Sequence, residues 1–105
     1  MSALGDIAAE RQRQKDVEGW TDYRDDEYVN CELARAAATY AASAAMNAYP
    51  TTASFYNVRL NTVLTALWPW SMTWWKPKSA RRDLVRAGAL IVAEIERLDR
   101  KMNKG

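Results

Sequence analysis

The residues best equipped for chemistry lie between Leu67 and Arg86. This stretch reads Leu-Trp-Pro-Trp-Ser-Met-Thr-Trp-Trp-Lys-Pro-Lys-Ser-Ala-Arg-Arg-Asp-Leu-Val-Arg. It holds four of the five tryptophans, two of the three prolines and five basic residues. Indole rings and guanidinium planes stack on nucleobases. Basic side chains beside the free N–H groups of a helix start make an anion site. Trp70, Trp74, Trp75, Lys76, Lys78, Arg81, Arg82 and Arg86, with Trp20 from upstream, are therefore the candidate ligand-binding residues. A plainer reading stands beside this one: the tryptophans cap a small core, and the cations pair with acidic side chains of the same chain.

A second cluster is acidic. Asp22, Asp25, Asp26 and Glu27 place four carboxylates in six positions, and like charges this close raise one another's proton affinity unless a cation answers them. The basic stretch at 76–86 is the expected internal partner. The sharper alternative is a magnesium site built from Asp25, Asp26, Glu32 and Asp83, since hard oxygen ligands suit that ion and a metal-bound water can act as nucleophile. The chain has no histidine and one cysteine, Cys31. That removes the usual zinc ligand, the usual neutral-pH base, the common triads and any internal disulfide.

These residues need a scaffold. One hundred and five residues form one domain, and an alanine-rich apolar half gives a thin core in which aromatics carry much of the burial. Periodicity predicts an all-α bundle of three to four helices, at about 3–18, 30–48, 53–66 and 80–102. An ordered Trp- and Pro-rich loop spans 67–79. Gly19 is the expected stop of the first helix, Asn30 the cap of the second and Pro50 its end. Pro69 and Pro77 push Trp68 and Lys76 out of helical geometry. Ser79 then caps a last helix about 35 Å long.

In the first helix Leu4, Ile7, Ala8 and Val17 give a weak apolar stripe, and the Glu10–Lys15 run reads as a solvated face. In the second, Leu33, Ala37, Tyr40, Ala44 and Ala48 follow helical spacing. In the last, Leu84, Ala87, Gly88, Ile91, Ile95, Leu98 and Met102 form a seam. That seam suits packing on the second helix, antiparallel to it, or an oligomer that buries the surplus apolar surface. Gly88 there predicts close approach of another backbone. A net charge of +2 argues against a duplex-binding protein. No apolar run is long enough to span a bilayer, and the expectation is a cytoplasmic protein with no membrane partner.

Four blocks taken together resemble a family of short, mostly uncharacterised phage and prophage proteins. They are Ala9-Glu10-Arg11-Gln12-Arg13-Gln14; Glu18-Gly19-Trp20-Thr21 leading to Asp25-Asp26-Glu27; Glu32-Leu33-Ala34 leading to Tyr40-Ala41; and Trp68-Pro69-Trp70 through Trp74-Trp75-Lys76-Pro77 to Arg81-Arg82-Asp83-Leu84-Val85-Arg86-Ala87-Gly88-Ala89-Leu90-Ile91. The resemblance covers most of the chain except 42–66, and it implies a phage origin and a small helical domain in the host cytoplasm. Relatives carry histidines around the Asp-Asp pair, where this chain has Tyr23 or Arg24 and Tyr28. A fainter similarity runs to MazG-type all-α nucleoside triphosphate pyrophosphohydrolases, which hold magnesium on Glu-x-x-Glu and Glu-x-x-Asp helices. Here Glu32 is followed by Arg35 in place of the second acid, while Glu96 and Asp99 keep the other spacing.

Three functions follow, in order. The first is a protein that binds a small phosphate-bearing nucleotide and sequesters a host immune signal, with Trp74 or Trp75 stacking on the base and Arg81 and Arg82 holding phosphate. The second is a magnesium-dependent nucleotide pyrophosphohydrolase. The third is a protein-interaction module that uses the tryptophan loop as its anchor patch.

Overall fold

A computed structural model describes residues 2–19, 21–28, 30–48 and 60–103. Within them run α1 (Ala3–Val17), α2 (Asp22–Asp25), α3 (Glu32–Ala48), α4 (Leu60–Leu67) and α5 (Ala80–Asn103), with a 3-10 turn at Met72–Trp74. There is no strand among the described residues, and the expected all-α bundle is what forms. The helix expected over 53–66 corresponds to α4 in its later part. Positions 53–59, Trp20 and Pro50 lie outside the described residues.

Local signals set the helix ends. The Ser2 hydroxyl accepts the Gly5 N–H at 2.9 Å to open α1, and α1 closes just before Gly19, whose φ of 72° is left-handed. Ser79 caps α5 by accepting the Arg82 N–H at 3.2 Å. Asn30 does not cap α3. Cys31 precedes the helix at φ 59°, and the Asn30 N–H instead donates to the Glu32 carboxylate at 2.6 Å. That bond ties the carboxylate of the first turn to the chain just before the helix.

The core lies between α3 and α5. Leu33, Ala36, Ala37 and Tyr40 meet Ala87, Leu90 and Ala93, with Trp68 closing one end. Tyr40 stands against Arg86, while Asp26, a few residues before α3, pairs with Arg100 near the end of α5 at 2.8 Å. The two helices are thus antiparallel, as expected. Alanines on both faces let the backbones come close, and the aromatic cluster supplies bulk that alanine lacks. The Trp68 ring lies 5.7, 5.3 and 5.0 Å from Tyr40, Trp70 and Trp75, and its indole N–H donates to the Ser71 carbonyl at 3.2 Å. Such ring pairs contribute about 0.5–1.5 kcal/mol each beyond burial alone.

Two expectations about helix faces are reversed. On α1 the polar run is the buried face: Glu10, Arg11 and Gln14 are enclosed, while Leu4 and Val17 are 81% and 70% exposed. The reason is the partner, because α1 packs on a stretch of α5 whose own side chains include Arg82 and Glu96. On α5 the expected seam divides. Ala87 is buried in the core and Gly88 faces α1, where an added Cβ would come within 2.8 Å of Ile7. It is the Ile7 side chain, not a second backbone, that needs the glycine. Leu84, Ile91, Ile95, Leu98 and Met102 face outward, within about 60° of arc at 100° per residue. Val85, Ala89, Leu90 and Ala93 form the buried side instead. No described helix is long and apolar enough to cross a membrane.

Candidate functional site

The cations at the start of α5 are answered by α1. Arg81 donates to Asp6 at 2.7 Å and Arg82 to Glu10. Arg13 grips the same Glu10 carboxylate with two bonds of 2.7 and 2.8 Å, and Gln14 adds a third donor at 3.2 Å. Lys78 contributes its backbone N–H to Asp83 at 2.8 Å. The acidic connector pairs elsewhere, which corrects the expected match with the basic stretch at 76–86. Asp25 is bound by Arg11 at 2.7 Å, and Asp26 by Arg100 at 2.8 Å. Asp22 lies within 4 Å of Arg11, Lys15 and Arg100. The physical cause is position, since α2 lies beside the later turns of α5 and far from its start.

The four carboxylates of the magnesium alternative are not gathered. Asp25 and Asp26 are held by arginines, and Glu32 is turned to the Asn30 N–H. Asp83 precedes Arg100 by 17 residues, about 25 Å of helix. Among the described residues no group of three or more histidine, cysteine, aspartate or glutamate side chains could hold a metal ion.

The candidate tryptophans separate into two kinds. Trp70 and Trp75 belong to the aromatic cluster, Trp70 5.8 Å from Tyr28 and Trp75 4.7 Å from Tyr40. Trp74, one residue earlier, is 57% exposed. Its place is held by the 3-10 turn, in which its N–H donates to the Ser71 carbonyl at 3.0 Å.

Trp74 borders a cavity of about 220 Å³ between α1, the loop and α5. Glu10, Arg13, Gln14, Val17 and Glu18 line it from α1, Tyr40 from α3, Lys76 from the loop and Arg86 from α5. Three of the sequence candidates, Trp74, Lys76 and Arg86, therefore converge there. Arg81 and Arg82 border a separate, shallower depression of about 300 Å³ with Asp6, Ala9, Ser79 and Val85. Glu10 and Arg13 are common to the two. Lys78 lines neither.

The charges around the cavity differ in freedom. Burial acts to raise the Glu10 carboxyl, but the bonds and charges of Arg13 and Arg82 outweigh it, and the group ends below its usual range. The Glu10 bond in turn holds the Arg13 guanidinium more firmly protonated. Burial pushes the Tyr40 hydroxyl up against the opposing pull of Arg86. The Arg86 guanidinium lies 5.6 Å over the Tyr40 ring and donates to the Lys76 carbonyl, and its buried Nε has no hydrogen-bond partner among the described residues. The Lys76 ammonium makes no ion pair among the described residues. With both Glu10 oxygens taken by nitrogen donors, the site offers cations and ring faces more readily than a free proton acceptor.

Sequence reasoning missed Glu10, Arg13, Gln14 and Tyr40 as members of this site. A usable signal was present: Glu10, Arg13 and Gln14 are spaced by three and four and so share a helix face. The fold places the chain in the class of small all-α bundles. No family model, curated protein or solved structure matches it.

Proposed function

We propose that this protein binds a small phosphate-bearing nucleotide in the cavity bordered by Trp74. The observation that carries this reading is the exposed indole of Trp74 beside Lys76, a cation with no ion pair among the described residues, with Arg86 and Arg13 on the same walls. The base stacks on Trp74, and the phosphate meets Lys76 and the guanidinium groups. Sequestration requires binding alone, so nothing in this reading calls for a catalytic base or a metal. In a phage protein, such binding withholds a host nucleotide signal from its receptor in the cytoplasm.

The test is calorimetry against linear and cyclic nucleotides, with and without magnesium, followed by chromatography of the ligand released on denaturation. Recovery of intact ligand supports sequestration, and converted product overturns it in favour of an enzyme. Trp74→Ala should weaken binding by about 1–3 kcal/mol, the usual worth of a base–aromatic stack, with an unchanged urea midpoint. Arg81→Ala should matter little, because Arg81 borders the other depression.

A second property rests on a separate observation. The outward stripe of Leu84, Ile91, Ile95, Leu98 and Met102 has the spacing by which helices pair, and we propose that α5 joins a second copy of the chain through it. Ile91→Glu with Ile95→Glu should convert an oligomer to a monomer in light scattering. A wild-type chain that is already monomeric at high concentration would end this proposal.

A further inference from the structure

Trp74 borders a second cavity. It measures about 170 Å³ and is lined by Arg24, Trp70 and Ser71. The turn that carries Trp74 is fixed from within, because the Ser71 hydroxyl accepts the Thr73 N–H at 3.3 Å and the Trp75 N–H donates to the Met72 carbonyl at 3.1 Å. Both cavities thus have a wall that is set before any ligand arrives, which limits the ordering cost of binding.

The two spaces repeat one chemical pattern. The larger offers one side of Trp74 with Lys76 as cation, Tyr40 being buried beneath Arg86 at its floor; the smaller offers Trp74 and the half-buried Trp70 with Arg24. Neither Lys76 nor Arg24 forms an ion pair among the described residues. Each cavity alone falls below the roughly 300–1,000 Å³ typical of sites that enclose an organic ligand, and the two share Trp74 as a wall. A mononucleotide would leave one ring surface and one cation unused.

We infer that the ligand carries two aromatic rings joined by a phosphate-bearing linker, a dinucleotide, with one ring in each cavity and Trp74 between them. This rests on the nucleotide-binding reading above and narrows it. Arg24, Lys76 and Arg86 then answer the phosphates, and affinity falls with salt as those charges are screened.

The experiment compares AMP, GMP, CMP and UMP with pApA, pGpG, pCpC and pUpU by calorimetry, on the wild-type chain and on Arg24→Ala and Lys76→Ala. Circular dichroism checks that both variants keep their helices. The expected result is a dinucleotide bound at least about tenfold more tightly than its mononucleotide, the worth of one further stacked base. Arg24→Ala should remove that advantage and leave the mononucleotide affinity unchanged, whereas Lys76→Ala should weaken both. Equal affinities with a silent Arg24→Ala would overturn the two-ring ligand and keep the single-cavity reading. Absence of binding by all eight would overturn both.

Discussion

The two ends of α5 each bring a buried carboxylate against arginine, with opposite results. Near its start, Glu10 has both oxygens bonded, to Arg13, Arg82 and Gln14, and its pKa is lowered. Near its end, Asp25 has one oxygen on Arg11 at 2.7 Å, while the other is buried without a hydrogen-bond partner among the described residues. Burial there outweighs Arg11 and Arg100, and the Asp25 carboxyl is raised. Both carboxylates lie near more than one arginine. What separates them is the number of donors aimed at each oxygen, since desolvation is repaid only by bonds in good geometry.

The largest test of this contrast is Arg11→Met. It strands the Asp25 charge in a closed site, and stability should fall by about 3–5 kcal/mol in urea unfolding. Adding Asp25→Asn to that variant should restore a large part of the loss, a non-additive outcome expected of contacting groups. Simple additivity would show that Arg11 acts through packing instead.

Glu10→Gln should cost less, about 1–3 kcal/mol, the range for leaving buried donors poorly matched. Arg13 keeps Glu18 at 2.9 Å, and Arg82 is partly open to water, so neither cation is stranded. Asp25→Asn alone should cost least of the three, because the charge it removes is already disfavoured. A loss there as large as that of Arg11→Met would break the comparison.

The smallest effect is in pH dependence, where the two ends have opposite signs. Glu10 has a folded pKa below its usual 4.5. Its contribution is therefore complete above that value and is lost as pH falls through the lower folded value. Asp25 has a folded pKa above its usual 3.8, so it weakens the fold as pH rises through the folded value and is relieved by acid. Urea midpoints measured from pH 7 downward should show a shallower acid loss for Glu10→Gln and a steeper one for Asp25→Asn.

Much of the scaffold was legible because it depends on neighbours in sequence. Ser79 caps its own helix three residues on, Gly19 supplies one left-handed residue, and the prolines bound a loop without outside help. The antiparallel pairing of α3 and α5 followed from two long helices with small-residue faces. The site was legible only in composition. Trp74 and Trp75 are adjacent and identical, yet one faces solvent and the other packs on Tyr40, a difference set by the 3-10 turn and by Trp68. The polar run of α1 was misread because its burial depends on charges more than 70 positions away, as in Arg82 with Glu10.

By itself, then, the sequence determined an all-α chain with defined helix ends, an aromatic loop before a long last helix, and an abundance of both charges. Those properties arise from backbone preference and from bonds spanning three or four residues. Only the tertiary structure decided which arginine answers which carboxylate, which face of α5 meets water, and which tryptophan of the loop is exposed. Each of those choices is a competition among partners far apart in the chain, and it is settled by the packing that brings them within a few ångströms.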